Sequence, residues 1–154
     1  MTQCKSQSEM LDVLLAERSI YRNLVAFARA MDERDWNAFA AFTAEEMTAS
    51  LGRGEIAGRD NIVAFIQSFL DSCGPTQHLL GNVLIDIDGD RARSSAYVAD
   101  LHLGRSEKKD LSFRTLGCYH DQWQRSESGW RMTRRVKDNR ATLGSMEVFD
   151  FSAK

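Results

Sequence analysis

The sequence lacks most features that commit a chain to a special environment. Its 154 residues include only three cysteines, Cys4, Cys73 and Cys118, which are odd in number and far apart. They indicate neither a disulfide framework nor a CxxC metal site, and they fit a reducing compartment. No apolar run approaches the length that spans a membrane, and residues 1–9 have no apolar signal-peptide centre. We therefore expect a soluble, cytoplasmic protein.

Charge of either sign is not in excess. The formal net charge is −2, which gives no reason to expect binding to nucleic acid or to an anionic membrane. The densest basic group is expected on a solvated or inter-subunit face of a strand; it consists of Arg131, Arg134, Arg135 and Lys137. The length suits one domain over residues 1–154, with no repeat or linker.

The first half of the chain has helical spacing. Apolar residues recur every three to four positions from Glu9 to Met31, which predicts a buried helix face made of Met10, Leu14, Tyr21, Leu24, Val25, Ala28 and Met31. Asp35 is a good N-cap for a short second helix, and residues 48–56 predict a strand and a turn. A third helix follows Gly58 and ends before Gly74-Pro75.

The second half reads as antiparallel strands over residues 78–88, 91–103, 111–125 and 130–139. Alternation in the second of these points Asp100 and His102 to one face, and in the third it separates Tyr119 from His120. Helices followed by a strand meander predict an α+β fold, a cone-shaped barrel whose curved antiparallel sheet closes over the helices. Such a cone is a natural pocket for a small molecule.

Two of the three histidines, His78 and His102, lie on predicted strands and can point into that pocket. Histidine ionises near neutral pH, so two imidazoles beside the Asp32 carboxylate could move protons. We expect His102 to act as base and then acid, His78 to bind an oxygen, and Asp32 to orient both histidines. His120 is interpreted as a surface residue.

Five segments, in this order along the chain, resemble scytalone dehydratase in the SnoaL-like (nuclear transport factor 2-like) superfamily: Met31-Asp32-Glu33-Arg34-Asp35-Trp36, Thr76-Gln77-His78-Leu79-Leu80-Gly81, the strand ending at His102, Gly129-Trp130, and Glu147-Val148-Phe149-Asp150-Phe151. The resemblance implies a dehydratase that removes water from a β-hydroxy ketone without metal or organic cofactor. It assigns proton transfer to Asp32, His78 and His102, and it implies that the carboxy-terminal segment, with Phe149 and Phe151, covers the pocket.

The sequence departs from that family at the positions that contact the substrate carbonyl. Met31 and Leu51 stand where the family places tyrosines, and Gly117 and Tyr119 stand where it places a serine and an asparagine. Tyr119 could supply a replacement donor from another wall, so we expect Met31, Leu51 and Tyr119 to contact substrate. Scytalone itself is a doubtful substrate for such a pocket.

Other functions remain open on these residues. The same base could serve a dehydrohalogenase or a ketosteroid-isomerase-like enzyme, or the fold could be a small-molecule-binding module without catalysis. Asp32 with the two histidines also has the composition of a metal-binding triad, but the resemblance supplies no metal. Self-association as a dimer or trimer is expected by resemblance, on an exposed face carrying Tyr97, Leu101 and Leu103.

Overall fold

The first helix begins at a reciprocal cap. The computed structural model describes residues 6–149. The first helix, α1, spans Gln7–Glu33. At its start the Ser6 hydroxyl accepts a hydrogen bond from the Glu9 amide, and the Glu9 carboxylate accepts one from the Ser6 amide. The buried stripe of α1 consists of Ala16, Ile20, Leu24, Phe27, Ala28, Ala30 and Met31. Over the part of the chain that the model describes, no helix is both long and apolar enough to cross a membrane.

The predicted buried face of α1 is wrong for four of its seven residues. Met10, Leu14, Tyr21 and Val25 are exposed, whereas Leu24, Ala28 and Met31 are buried as expected. Met10 and Leu14 precede the first buried residue of the helix, whereas Tyr21 and Val25 lie directly beside buried positions. Apolar spacing identifies a helix, but it fixes neither how much of the helix is covered nor which of its apolar residues face the core. The burial of α1 therefore depends on its placement in the fold.

Two further helical elements begin where the sequence predicts them, after Asp35 and after Gly58. Asp35 caps a 3₁₀ helix, Trp36–Ala41, by accepting from the Ala38 amide. The second α-helix, α2, spans Arg59–Leu70 after Gly58, which adopts a positive φ of 88°. Two further 3₁₀ turns span Ser106–Lys108 and Met146–Val148.

Six strands form one sheet: β1 (Thr43–Ser50), β2 (Glu55–Ala57), β3 (Thr76–Asp88), β4 (Arg91–Leu103), β5 (Ser112–Ser126) and β6 (Gly129–Gly144). Their spatial order is β2-β1-β6-β5-β4-β3, and all neighbours are antiparallel except β1 and β6. The sheet curves around α1 and α2, which confirms the predicted α+β cone. The cone leaves a cavity between the helices and the inner sheet face.

Strand β6 runs five residues past its predicted end at Asn139. The extension pairs with the start of β5, as in Phe113 with Gly144 and Thr115 with Thr142. Residues 139–144 are exposed, so backbone pairing rather than burial holds them, and no apolar alternation marks them in the sequence. Pairing partners therefore decided this boundary.

The prediction that the basic group on β6 faces outward is wrong for Lys137, which lines the inner cavity, and for Arg135, which is only 1% exposed. Its Nε and Nη2 donate to the two carboxylate oxygens of Asp121, each at 2.8 Å. The guanidinium also stacks between the rings of Phe27 and Tyr119, 4.1 and 3.9 Å from their centroids. Arg134, the preceding residue, faces the other way and pairs with exposed Glu55.

The outer sheet face carries a row of neighbouring apolar residues, one from each of β3 to β6. This outer apolar row consists of Leu79, Ala99, Leu116 and Ala141, which are register partners in turn. On the predicted outer face Tyr97 and Leu103 are exposed and Leu101 is half-buried.

We predict that Arg135→Met lowers the free energy of unfolding by about 3–5 kcal/mol, because it leaves the Asp121 carboxylate buried without its cation. Urea denaturation measures the change. Arg134→Met is the matched control on the same strand, and it should change the unfolding midpoint little because its partner is exposed. Equal losses in the two variants would contradict the prediction.

Candidate active site

The cavity between the helices and the inner sheet face has a volume of about 240 Å³. Most of its wall is apolar and aromatic, with Phe27, Met31, Leu51, Phe65, Ile66, Phe69, Leu70, Phe113, Met146 and Phe149. Its polar wall is on the sheet side, with His78, Asp100, His102, Thr115, Tyr119, Arg135, Lys137 and Asn139. An apolar pocket with a few convergent polar groups is typical of small-molecule sites.

Asp32 and His78 form a tight pair at one end of this polar wall. Asp32 lies in the last turn of α1 and His78 lies near the start of β3, and Asp32 Oδ1 is 2.7 Å from His78 Nδ1. The His78 backbone amide also donates to Asp32 Oδ2 at 2.9 Å. When His78 Nδ1–H donates to the Asp32 carboxylate, the lone pair of the ring is on Nε2, and no described residue hydrogen-bonds to that atom.

Arg34 holds the carboxylate in place through Thr76. Its guanidinium donates to the Thr76 hydroxyl at 2.8 Å and to the carbonyl oxygens of Met31, Leu70 and Gly74. Because a guanidinium can only donate, the single Thr76 hydroxyl proton is directed to Asp32 Oδ1, at 2.9 Å. The end of α1, the end of α2 and the start of β3 are therefore joined at the site.

The Asp32 carboxylate is charged at neutral pH. Burial alone would raise its pKa, but the hydrogen bonds from His78 and Thr76 hold the pKa below its usual value. A negative charge is also unfavourable at the carboxyl end of a helix dipole. The three donors compensate for both costs, which makes Asp32 a fixed acceptor behind His78.

His102 is buried beside this pair but has different partners. Its ring makes an edge contact with that of His78, with centroids 5.5 Å apart. Its Nδ1 lies 3.3 Å from the carbonyl oxygen of Phe113 and 3.9 Å from Asp100 Oδ1. Burial lowers the pKa of His102 to about 4, although the Asp100 charge opposes the shift, so its imidazole is neutral at working pH.

The expectation that Asp32 orients both histidines is therefore corrected. Asp32 hydrogen-bonds to His78, whereas the polar contacts of His102 are with the Phe113 carbonyl and with Asp100. Helix α1 packs against β3, so its last turn meets the first residues of that strand rather than the end of β4. Of the two histidines, the one with a hydrogen-bonded carboxylate is His78.

The structure brings the predicted contact residues Met31, Leu51, Tyr119 and Phe149 to the cavity wall. Phe149 packs edge-on against His102, Phe69 and Phe113. Burial raises the pKa of the Tyr119 phenol, so it keeps its proton and can only act as a neutral group. Phe151 lies outside the described residues.

The glycine at position 117 is explained by the lack of space for a side chain. A Cβ at this position would lie 2.8 Å from the carbonyl oxygen of Asp138, at the point where the β5–β6 register shifts. The close approach of the two backbones excludes the serine that the resemblance places here.

Sequence reasoning missed a second polar group on the wall, formed by Asp100, Thr115 and Lys137. Asp100 Oδ1 accepts from the Thr115 amide and hydroxyl at 3.0 and 2.6 Å, and Lys137 Nζ donates to Asp100 Oδ2. These contacts and the Lys137 charge outweigh burial and lower the pKa of Asp100. Alternation places Asp100 on the inner face, but nothing in the sequence shows that Lys137 joins it.

A family model for the SnoaL-like domain matches residues 12–136, and the chain belongs to this family. The uncharacterized protein Rv2910c of Mycobacterium tuberculosis is 28% identical over 120 residues, which cover 77% of this chain and 81% of that protein.

Solved structures with the same fold carry different names. A "putative aromatic ring hydroxylase" from Novosphingobium aromaticivorans has a TM-score of 0.78 and 24% identity, covering 95% of this chain and 99% of its own. A "putative scytalone dehydratase" from the same organism has a TM-score of 0.73 and 23% identity, covering 86% of this chain and 89% of its own. A hexachlorocyclohexane dehydrochlorinase, LinA Type2, has a TM-score of 0.74 and 15% identity, covering 91% of this chain and 93% of its own. At these identities the likeness shows a shared fold.

We predict that stability falls with acid between about pH 6.5 and pH 4 because of His102. The folded-state pKa is below the value of 6.5 in the unfolded chain, so the unfolded state binds the proton more readily in this window. The loss should reach about 3 kcal/mol, and His102→Gln should remove that part of the slope. Urea denaturation of both proteins from pH 7 to pH 4.5 measures it; identical slopes would contradict a buried, neutral His102.

Proposed function

We propose that this protein is a dehydratase that eliminates water from a small hydroxylated cyclic or aromatic ketone, by acid–base catalysis and without metal or organic cofactor. The observation that carries the proposal is the Asp32–His78 pair, whose Nε2 is left without a described partner at the wall of an aromatic cavity. A neutral imidazole backed by a carboxylate is a base of the strength that this reaction needs.

In the proposed reaction His78 Nε2 removes the proton from the carbon beside the carbonyl, and the electron pair of that C–H bond moves onto the carbonyl oxygen as an enolate. Asp32 keeps the Nδ1–H tautomer and stabilises the imidazolium that forms. The imidazolium then gives its proton to the leaving hydroxyl, so the C–O bond breaks as the C=C bond forms. Water and an unsaturated ketone are the products.

His102 is proposed to bind the hydroxyl rather than to act as the base. If its Nδ1–H donates to the Phe113 carbonyl, Nε2 is a neutral acceptor that can take the hydrogen bond of a substrate hydroxyl. Its low pKa keeps it unprotonated. This assignment exchanges the roles that the sequence predicts for the two histidines.

The comparisons support an elimination without choosing the leaving group. The structural neighbours include a protein named as a dehydratase and a dehydrochlorinase, and both names describe removal of a small acid or water from adjacent carbons. We favour dehydration because the cavity wall carries groups that can bind oxygen atoms, among them His102 and Lys137. A ketosteroid-isomerase-like activity would return the proton to carbon and lose no water.

We predict that His78→Gln and Asp32→Asn each lower kcat/KM for dehydration by about 10²- to 10⁴-fold, because each removes a part of the base. The assay is a panel of cyclic β-hydroxy ketones, read by the ultraviolet absorbance of the conjugated product. Substrates with a halide leaving group and unsaturated ketones that can only isomerise are assayed beside them.

His120→Gln is the matched control, since His120 lies on the outward face of β5 and should leave the rate unchanged. Circular dichroism checks that all variants fold. If the ketones bind but the wild type does not turn them over, the chain is a binding module; turnover of halides alone would identify a dehydrohalogenase.

We also propose that the outer apolar row is where two copies associate, because Leu79 and Leu116 are large and exposed and lie on either side of Ala99 of β4, the register partner of both. Sedimentation should give an oligomer for the wild type and a smaller species for the double variant Leu79→Glu/Leu116→Glu. Leu14→Glu, the same change at an exposed leucine of α1, should keep the oligomer. A wild-type monomer would contradict the proposal.

A further inference from the structure

Three polar side chains form a row across the inner sheet face, one on each of β3, β4 and β5. His78 is the register partner of Asp100, and Asp100 is the register partner of Thr115. Lys137 reaches this row from β6, where its own register partner is Tyr119. The proposed base and a lysine ammonium thus lie on either side of the Asp100 carboxylate.

The hydrogen bonds of Lys137 use two of its three N–H donors. An ammonium has three N–H donors. One donates to Asp100 Oδ2 and another to the Thr115 hydroxyl oxygen, at 2.8 Å for the latter. Thr115 gives its own proton to Asp100 Oδ1 at 2.6 Å, so its oxygen is free to accept from Lys137. Among residues 6–149 no partner is recorded for the third N–H of Lys137.

The Asp100 carboxylate, in contrast, accepts three hydrogen bonds from the protein. Its Oδ1 takes two hydrogen bonds from Thr115 and its Oδ2 takes that of Lys137, and the residue is 1% exposed. Asp100 and Thr115 therefore fix the ammonium in one position, as a positioning pair. The Lys137 side chain remains 13% exposed and belongs to the cavity wall.

The ammonium is within reach of a substrate held at His78. Neighbouring strands are about 4.8 Å apart. Lys137 Nζ hydrogen-bonds to the carboxylate of Asp100, which lies on β4, the strand next to that of His78. A carbonyl oxygen is two bonds from the carbon that loses its proton. A small ring can therefore present its acidic carbon to His78 and its carbonyl oxygen to Lys137 together.

We propose that Lys137 is a catalytic residue that binds the carbonyl oxygen of the substrate and stabilises the enolate. Charge grows on that oxygen as the C–H bond breaks, and a preorganised charged donor in an apolar cavity stabilises it most where it grows most. Met31 and Leu51, also on the wall, carry no donor for this oxygen. The inference rests on the proposed function and assigns the side chain that binds the ketone oxygen of the substrate.

The test uses 2-naphthol, whose naphtholate form carries its negative charge on an oxygen attached to a flat ring, as an enolate does. The naphthol and naphtholate forms differ in absorbance and fluorescence, so the ionisation of the bound probe can be read directly. We expect the wild type to bind naphtholate at least about tenfold more tightly than naphthol, because the ammonium pairs with the oxyanion. Naphthalene serves as the probe without oxygen.

Two variants separate oxyanion binding from charge balance. Lys137→Met leaves Asp100 buried without a cation and could destabilise the fold. The double variant Asp100→Asn/Lys137→Met removes both charges and is therefore the main test. Both should lose the naphtholate preference and still bind naphthalene. Lys109→Met, the same change at an exposed lysine, should keep the wild-type preference.

The outcomes distinguish this inference from the proposed function. A double variant that keeps the naphtholate preference, or a wild type that has none, overturns the role of Lys137, even if ketones are dehydrated through Asp32 and His78. A preference that disappears with Lys137 supports the oxyanion site, even if every β-hydroxy ketone is left unchanged and the dehydratase proposal fails.

Discussion

The site depends on the contact between Asp32 and His78. The carboxylate lies at the unfavourable end of the helix dipole and is half-buried, so it is stable there only with the donors that His78 and Thr76 supply. Those donors belong to β3, which means that one set of hydrogen bonds joins helix to sheet and also sets the tautomer of the base. The hydrogen bonds of Asp32 therefore both hold the cavity wall together and orient the proposed base.

The same principle accounts for the rest of the polar interior. Asp100 and Asp121 are almost fully buried on β4 and β5, and each has a basic partner from β6, Lys137 and Arg135 respectively. A buried charge is tolerated when it is paired and hydrogen-bonded. Both basic partners line the cavity, but the Arg135 guanidinium lies between two aromatic rings, whereas Lys137 keeps one N–H donor without a partner among the described residues. Similar pairs can therefore have different functions, according to what lies next to them.

Much of the fold could be predicted because local patterns and burial agree there. Strand alternation placed Asp100, His102 and Tyr119 inside and His120 outside, and all four positions are confirmed. Predictions failed where a distant partner decided the outcome. Arg135 looked like a surface charge, since an arginine is rarely buried, and only Asp121 across the sheet makes its burial possible. In α1, Met10 and Leu14 were predicted to be buried but precede the first buried residue, and Tyr21 and Val25 lie beside buried positions without being covered.

The sequence alone determined the order of helices and strands, the α+β cone, and the set of polar residues able to face its interior. These features could be predicted because periodicity reports on one element at a time. Tertiary structure alone decided which of these residues meet. Asp32 pairs with His78 because α1 packs against β3, and Lys137 reaches Asp100 because β4, β5 and β6 are neighbours in register. Such contacts join residues 37 to 46 positions apart, over which no local pattern carries information.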